Sequence, residues 1–431
     1  MFLGMPPSRW WILIISRLWL NVGVRLAYPF LPTIARGLNV SMEQAGFLVA
    51  ARSFVGLAGI VFGLLTEKKG EKLGLLLGLS FFSIGALGIG FHLSYTWVLF
   101  GFILTGLAHA AYNPSVQSYV SAHVSYALRA RALGLLESSW SASWFVGVPL
   151  GGFLIARFGW HTPYLALGVI GMVLVLITSG LPSPREPLQT KLSSSPPLRV
   201  NLRPTPCQKA RPTPVVMETV LAYGPAALTE RRRLWLALAV TFFTLFANES
   251  LMIVYGAWME FRFAVGINSL GLLSMFIGVM ELAAELSVAL MVDRLGKKRA
   301  LAAGLLGAAA CYAALFAVQK SLPLAITVFG AIAYFFEFTV VSSFPYMSEL
   351  DPNARKRWLS ANYSLMVAGR VGGALAGPWL WEHTHTLHGH IGLSFAATLV
   401  AFGFLRLAPN PDQKPREKSG RCESCSPSLP Y

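Results

Sequence analysis

The sequence predicts an all-α membrane protein in which twelve transmembrane helices form two pseudo-symmetric bundles of six. Three observations support this prediction: the composition is too apolar for a soluble domain, twelve apolar runs have the length of a bilayer crossing, and similar charged loops occur in both halves. Only 13% of the 431 residues are charged, 55% are hydrophobic, and the mean hydropathy is +0.57. Soluble domains carry about 25% charged residues, so a water-exposed surface is not expected.

Each apolar run is long enough to cross the hydrocarbon core, which takes about 20 residues of α-helix. A backbone in lipid must satisfy its own hydrogen bonds, and a helix does so within one segment. The first run is too long for the apolar region of a signal peptide, so we expect it to remain in the protein. We number the predicted spans 1 to 12, and they lie near residues 10–32, 43–65, 73–92, 96–122, 132–156, 162–181, 233–258, 268–291, 299–318, 322–346, 358–381 and 390–408.

The spans divide the chain into four parts. Residues 1–181 are predicted to form an N-terminal bundle, and residues 232–409 a C-terminal bundle. Residues 182–231 between them are rich in proline, serine and basic residues, and they carry too little apolar surface to fold alone. We expect a cytoplasmic linker there, and a polar cytoplasmic tail at 410–431.

Lysine and arginine residues between the spans are concentrated on one side of the predicted membrane. If both termini share a side, the loops of the other side contain only Arg36, Arg157, Arg262 and Lys320. Cytoplasmic loops carry an excess of these residues, so the sequence predicts a multi-pass protein of the cytoplasmic membrane with both termini in the cytoplasm. The net charge of +16 does not indicate nucleic-acid binding, because nucleic-acid-binding proteins gather their bases on one face or arm.

Two short charged loops separate apolar runs at corresponding places in the two halves: LTEKKGEKL (65–73) and MVDRLGKKR (291–299). The second loop resembles the loop signature of the major facilitator superfamily. FGWHTPYLAL (158–167) is similar to the family's entry into span 6, and GVPLGG (147–152) resembles a stretch of span 5 in the family's antiporters, although Pro149 stands one residue closer to the glycine pair. The resemblance implies a secondary transporter of the twelve-helix efflux branch, in which one bundle rocks against the other.

The resemblance also implies that the two charged loops form a latch that closes the cytoplasmic side. Asp293 ends span 8, where the helix macrodipole already presents negative charge, so Arg294, Lys297 or a neighbouring helix N-terminus must stabilise it. The other interpretation is that the basic residues only fix the topology. The predicted gating residues are Gly63, Glu67, Lys68, Gly70, Asp293, Arg294, Gly296 and Lys297.

Several ionisable residues lie inside the spans, where each costs at least ~2.5–3.5 kcal/mol at the bilayer centre and therefore usually faces a cavity or a partner. Glu281 and Glu285 are four residues apart and share a helix face. Two neighbouring carboxylates cannot both ionise cheaply in a low dielectric, so they are candidate proton acceptors. The alternative is a structural pair neutralised by Arg370 or another base. The predicted proton-coupling residues are Glu249, Glu281, Glu285 and Glu337.

The resemblance assigns spans 1, 4, 7 and 10 to the lining of a central cavity. The candidate cavity residues are Arg25, Arg52, His109, Glu249, Glu337 and Arg370. Bases predominate in the first half and acids in the second. Such groups could bind a polar or zwitterionic solute, could pair across the bundles and hold one state shut, or could form static salt bridges.

Small residues and prolines in spans 5 and 11 are predicted to allow close helix packing or kinks. They are Gly147, Pro149, Gly151, Gly152, Gly373, Gly377 and Pro378. HTHTLHGH (383–390) contains four histidines that could hold a metal or respond to external pH, but we expect a polar turn and no metal. The CESC of the tail lacks a second cysteine pair, so we expect reduced thiols.

These features predict proton-coupled efflux of a small organic solute by a monomer that needs no cofactor beyond a proton gradient. Uptake by symport, facilitated diffusion and a non-transporting membrane sensor are the alternatives. An enzyme is not expected, because catalysis needs a nucleophile with a partnered base, and no serine, cysteine or histidine here shows that local pattern.

Overall fold

The computed structural model describes residues 5–125, 128–182, 225–350 and 355–411. Side chains are described in these ranges except at 60, 67, 68, 129, 130, 225–233 and 355–357. Most of the predicted linker and tail, with Cys207, Cys422 and Cys425, therefore lies outside the described residues. The side chains of Glu67 and Lys68 do too.

The helices of the described ranges form twelve segments that correspond to the predicted spans. Eight are single helices: Glu71–Phe91, Tyr95–His123, Thr162–Ser179, Ile267–Leu295, Lys297–Val318, Leu322–Leu350, Arg355–Thr384 and His388–Leu407 (spans 3, 4, 6 and 8–12). Four are interrupted: span 1 (Pro7–Arg25 and Ala27–Leu38), span 2 (Met42–Phe54 and Gly59–Lys69), span 5 (Arg129–Ala142 and Val148–Phe158) and span 7 (Pro225–Met252 and Tyr255–Phe263).

Length and composition alone identify nine membrane-crossing helices in these ranges, or ten if the bent pair of span 1 counts as one. The two segments that fall short are spans 2 and 11. A short 3₁₀ turn at Val55–Ala58 divides span 2. Span 11 begins with a basic stretch and contains Arg370, so its mean hydropathy is low. Polar residues in these spans thus weaken the local signal.

Two of the interruptions precede prolines. Span 1 bends by 54° between Arg25 and Ala27, and Pro29 has no N–H to donate to the carbonyl of Arg25 four residues earlier. Span 5 contains a π-helical turn at Ser143–Gly147 directly before Pro149. Both breaks lie in helices that face the other bundle.

Within each bundle, small residues let the helices approach closely. Gly147 and Gly151 of span 5 face side chains of span 1. Gly373 and Gly377 of span 11 face the backbone of span 7. A side chain at any of these positions would overlap the neighbouring helix, so the predicted glycines lie at helix–helix contacts.

We call the face where span 1 begins and span 12 ends the terminal face, and the opposite face the far face. Near the far face, Gly256 of span 7 lies directly against the carbonyl oxygen of Pro29 in span 1. There is no room between them for a Cβ atom. The two broken helices therefore touch through their backbones.

Two further contacts close the far half of the interface. A Cβ at Gly46 of span 2 would lie 2.8 Å from the carbonyl oxygen of Ala374 in span 11 and would overlap Pro378. A Cβ at Gly152 of span 5 would lie 3.2 Å from the carbonyl oxygen of Ile267 in span 8. Spans 2 and 11, like spans 5 and 8, thus pack tightly near the far face.

Polar contacts reinforce this closure. Arg36 of span 1 donates two hydrogen bonds, of 2.9 and 2.8 Å, to the carboxylate of Glu260 in span 7. The backbone N–H of Met42 donates to Glu382 of span 11 at 3.0 Å. Between side chains that the structure describes, we find no hydrogen bond or ion pair joining the bundles on the terminal side of residue 141. The described contacts between the bundles are therefore concentrated in the far half of the interface, and the far face is closed.

Candidate functional site

Span 1 presents a stripe of polar residues to the interior of the protein. Arg17, Asn21, Arg25 and Tyr28 follow one another at intervals of four, four and three residues, which places them on one helix face. All four are buried. A buried polar group needs a partner, so each residue of the stripe points to a contact on another span.

The two stripe residues nearer the terminal face bind within the N-terminal bundle. Arg17 forms an ion pair of 2.6 Å with Glu137 of span 5, whose side chain is 46% exposed. Asn21 donates to the hydroxyl of Ser139, also in span 5, at 3.3 Å. These contacts fix span 1 against span 5.

Arg25 crosses to the other bundle. Its Nη2 lies 2.5 Å from Oε2 of Glu281 in span 8, and the two side chains are only 8% and 4% exposed. The guanidinium also lies over the indole rings of Trp140 and Trp144, at 3.9 and 4.7 Å from their centroids. Buried ion pairs depend on close partners, and loss of one partner leaves an uncompensated charge. This ion pair therefore ties span 1 to span 8.

Two more acids of the C-terminal bundle receive hydrogen bonds from the N-terminal bundle. The hydroxyl of Tyr28 lies 3.0 and 3.2 Å from the carboxylate oxygens of Glu249. Ser141 of span 5 donates to Glu285 at 2.8 Å. Glu281 and Glu285 share a helix face as expected from their spacing, but they have different partners, and the base opposite Glu281 is Arg25 rather than Arg370.

Glu337 and Arg370 have no such partner among the residues that the structure describes. Glu337 of span 10 is 8% exposed and makes no hydrogen bond or ion pair with any described residue. Arg370 of span 11 is half-buried, and its described contact is the ring of Trp140, 5.7 Å from its guanidinium carbon. Spans 10 and 11 pack against each other, yet no ion pair joins the two side chains among the described residues.

Arg52 and His109 support span 1 from within the N-terminal bundle. Arg52 donates to the carbonyl oxygen of Val24 at 3.3 Å. The Nε2 of His109 lies 3.2 Å from the carbonyl oxygen of Leu20. Neither side chain pairs with an acid in the part of the chain that the structure describes. Both were predicted to line the cavity, and the structure places them beside the backbone of span 1.

The two charged loops share one turn geometry. Gly70 has φ 90° and Gly296 has φ 84°, values that side chains other than hydrogen rarely allow. Asp293 and Arg294 are exposed and make no ion pair with any residue of the described part of the chain. Lys297 pairs with Glu349 of span 10 at 2.6 Å. Among the described residues, the expected ion pairs of Asp293 are therefore not formed. A Cβ at Gly63 would meet nothing within 4 Å, so no helix packs closely against that glycine.

The histidine-rich loop has a structural contact. His390 is fully buried, and its ring nitrogens lie 2.8 and 3.2 Å from the carbonyl oxygens of Gly377 and Thr386. Among the described residues, no group of histidine, cysteine, aspartate or glutamate is placed to hold a metal. The loop packs against span 11.

Tyr28, Trp140 and Ser141 contact the charged residues but are absent from the sequence-based candidates. The spacing of the span 1 stripe was the available signal for Tyr28. Trp140 lies in an apolar run where a tryptophan usually indicates lipid contact, so no local pattern identifies it.

Comparison with known proteins yields one family. The profile of the Major Facilitator Superfamily matches residues 13–284 and 237–427. The uncharacterized MFS-type transporter YceJ of Bacillus subtilis is 24% identical over 90% of this chain and 94% of its own length. The niacin transporter NiaP of Acinetobacter baylyi is 26% identical over 83% of this chain and 82% of its own. Multidrug resistance protein 2 of B. subtilis is 31% identical, but over only 35% of this chain and 38% of its own length.

Solved structures agree on the architecture. The crystal structure of a D-xylose-proton symporter has a TM-score of 0.73 at 15% identity, and covers 94% of this chain and 98% of its own. The inward open conformation of the xylose transporter XylE from E. coli has the same TM-score at 14% identity, with 94% and 96% covered. At these identities the likeness concerns the fold.

Proposed function

We propose, on the premise that this chain belongs to the Major Facilitator Superfamily, that it couples the movement of a small organic solute to protons. Membership makes the chain a multi-pass membrane transporter of small molecules rather than an enzyme. The excess of lysine and arginine supports a cytoplasmic location for the terminal face. The far face would then meet the exterior of the cell.

The buried ion pair between Arg25 and Glu281 is the observation that carries this proposal. Ionised Glu281 compensates Arg25 and holds the two bundles together in the far-closed state. A proton on Glu281 would leave the guanidinium buried without a counter-charge, and this destabilises the far-closed state relative to one in which Arg25 meets water. Because the proton then has a different affinity for the two states, a proton gradient can drive the transition.

The other acids complete a route for protons. Glu285 lies one helical turn from Glu281 toward the terminal face, is half-buried and accepts a hydrogen bond from Ser141. We assign it the exchange of protons with water at the terminal face. Glu249 and Glu337 are buried, and we assign them to the same set of proton-accepting carboxylates, toward the centre of the protein.

Export in exchange for protons is the first candidate for direction. The relationship to Multidrug resistance protein 2 supports it, over about a third of the chain. Import is the second candidate, because the niacin transporter NiaP matches over most of the chain.

A conformational measurement tests proton coupling without knowledge of the solute. Spin labels at the exposed Ser118 and Ser360, in the two bundles near the terminal face, report how far that face is open. The four native cysteines would first be replaced by alanine. In acid the far-closed state loses its ion pair, so we expect the distance between the labels to shorten.

Glu281→Gln should show the short distance at every pH, because glutamine imitates the protonated acid. Glu285→Gln should slow the response to pH, and Glu43→Gln, at an exposed acid of the far face, should behave as the original chain. A full pH response in Glu281→Gln would refute the proposed coupling. Uptake of labelled niacin into everted vesicles with an acidic lumen separates export, which accumulates solute there, from import.

A further inference from the structure

We propose that the solute is a flat zwitterion whose carboxylate binds Arg370 and whose protonated amine binds Glu337, against the ring of Trp140. This inference rests on the proposed function, because it names the class of solute for the same central site. It assigns a separate part of the solute to each of three side chains.

Arg370 is available to an anion. Arg17 and Arg25 hold carboxylates at 2.6 and 2.5 Å, and the buried Arg52 donates to a backbone carbonyl. Arg370 has neither kind of partner among the described residues. A guanidinium offers five N–H donors and holds a carboxylate through two parallel hydrogen bonds, so a carboxylate is the ligand that suits it best.

Glu337 is available to a cation. Glu249, Glu281 and Glu285 each accept a hydrogen bond from the N-terminal bundle, whereas Glu337 accepts none from the described residues. A carboxylate removed from water without a hydrogen bond is costly. An amine of the solute would supply both the hydrogen bond and the counter-charge.

The arrangement of the two groups favours a solute with both charges. Glu337 and Arg370 lie on spans 10 and 11 of the C-terminal bundle, which pack against each other, and no ion pair joins the two side chains among the described residues. A simple anion would leave Glu337 without a partner, and a simple cation would leave Arg370 without one. A zwitterion satisfies both residues and adds no net charge to the site.

Trp140 explains why the solute should be flat. The centroid of its indole lies 3.9 Å from the guanidinium carbon of Arg25 in its own bundle and 5.7 Å from that of Arg370 in the other bundle. A planar ring whose carboxylate engages Arg370 would pack against the indole, in the stacked or edge-to-face geometry that aromatic rings prefer. The solute would thus contact both bundles at once, as a transported molecule must.

Three probes of matched shape test the class of solute. They are 4-(aminomethyl)benzoate (a zwitterion), 4-methylbenzoate (an anion) and 4-methylbenzylamine (a cation). Titration calorimetry on the full chain in lipid nanodiscs should show the zwitterion binding at least about tenfold more tightly than either of the others, since each charged contact is worth that much. Equal affinities, tighter binding of a singly charged probe, or no binding of any probe would overturn the proposal.

Substitutions test which residue binds the carboxylate of the solute and which binds its amine. Glu337→Gln should reduce the affinity for the zwitterion to that for 4-methylbenzoate and leave 4-methylbenzoate unaffected. Arg370→Gln should abolish binding of both. Trp140→Leu should weaken the zwitterion about three- to tenfold, and Arg157→Gln, at an exposed arginine, should change nothing. Unchanged binding in Glu337→Gln or Arg370→Gln would contradict the assignment.

A second variant and a second measurement separate the possible outcomes. If Arg370→Gln fails to fold, Arg370→Lys keeps the charge but loses the paired hydrogen bonds, and it should bind the zwitterion about tenfold more weakly. The distance between labels at Ser118 and Ser360 is measured in the same samples. If that distance responds to pH while the probes show no preference for the zwitterion, only the class of solute is wrong. If it does not respond, the proposed coupling is wrong whatever binds.

Discussion

The far and terminal halves of the interface between the bundles are built from different interactions. At the far half, Gly46, Gly152 and Gly256 bring backbones into contact, with the exposed pair of Arg36 and Glu260 beside them. At the terminal half, the hydrogen bond from Ser141 to Glu285 is the described polar contact across the bundles that lies nearest the terminal face, and the loops there carry most of the bases. The contacts of the far half are therefore mainly contacts of shape, and we expect charge to contribute more where the basic loops of the terminal half meet.

The largest effect is expected at the buried ion pair between these halves. Arg25→Met should lower the free energy of unfolding by about 3–5 kcal/mol, because it leaves Glu281 buried without a counter-charge. Arg25→Met combined with Glu281→Met should recover most of that loss. Thermal and chemical unfolding in detergent would measure both. A double variant no more stable than the single one would show that the pair does not join the halves as described.

An intermediate effect is expected where backbones touch. Gly256→Ala places a methyl group on the carbonyl oxygen of Pro29, and overpacking of this kind costs about 1–3 kcal/mol. Because the overlap exists only when the far face is closed, the population should shift toward the far-open state.

Spin labels at the exposed Leu93 and Lys320, in far-face loops of the two bundles, should show a longer mean distance in Gly256→Ala. Gly403→Ala is the matched control, since a Cβ there would meet nothing within 4 Å. An unchanged distance in Gly256→Ala would mean that the backbone contact does not limit opening.

The smallest effect is expected at the exposed ion pair of the far face. Arg36→Gln should change the free-energy difference between the far-open and far-closed states by less than about 1 kcal/mol, because exposed pairs contribute little. The distance between the same two labels would report this change. Salt screens exposed charges, so the difference from the original chain should disappear at high ionic strength. If Arg36→Gln opened the far face more than Gly256→Ala, charge rather than shape would hold it closed.

Hydropathy predicted the positions of the spans well and their interruptions poorly. Span 6 was placed at 162–181 and forms a helix at Thr162–Ser179. Nothing in the apolar pattern indicates that span 7 breaks at Ile253–Val254, beside the contact of Gly256 with span 1. Such breaks depend on the surface of a partner helix, which a local pattern does not contain.

The sequence identified several charged residues of the candidate site, but it did not predict which of them pair with each other. The cost of burying charge identified Arg25, Glu249 and Glu281 as residues that need partners. Which groups meet depends on how two bundles pack, and Arg25 and Glu281 are 256 residues apart. Trp140 carries no charge, so the same argument could not find it.

The separation of Arg25 from Glu281 also bears on biosynthesis. A ribosome adds about 5–20 residues per second, so span 1 emerges tens of seconds before the carboxylate that neutralises its guanidinium. During that interval Arg25 has no carboxylate of span 8 beside it, and a charge at the bilayer centre costs at least ~2.5–3.5 kcal/mol. We therefore expect the first six helices to be less stable alone than in the whole chain, because span 8 supplies the counter-charge of Arg25.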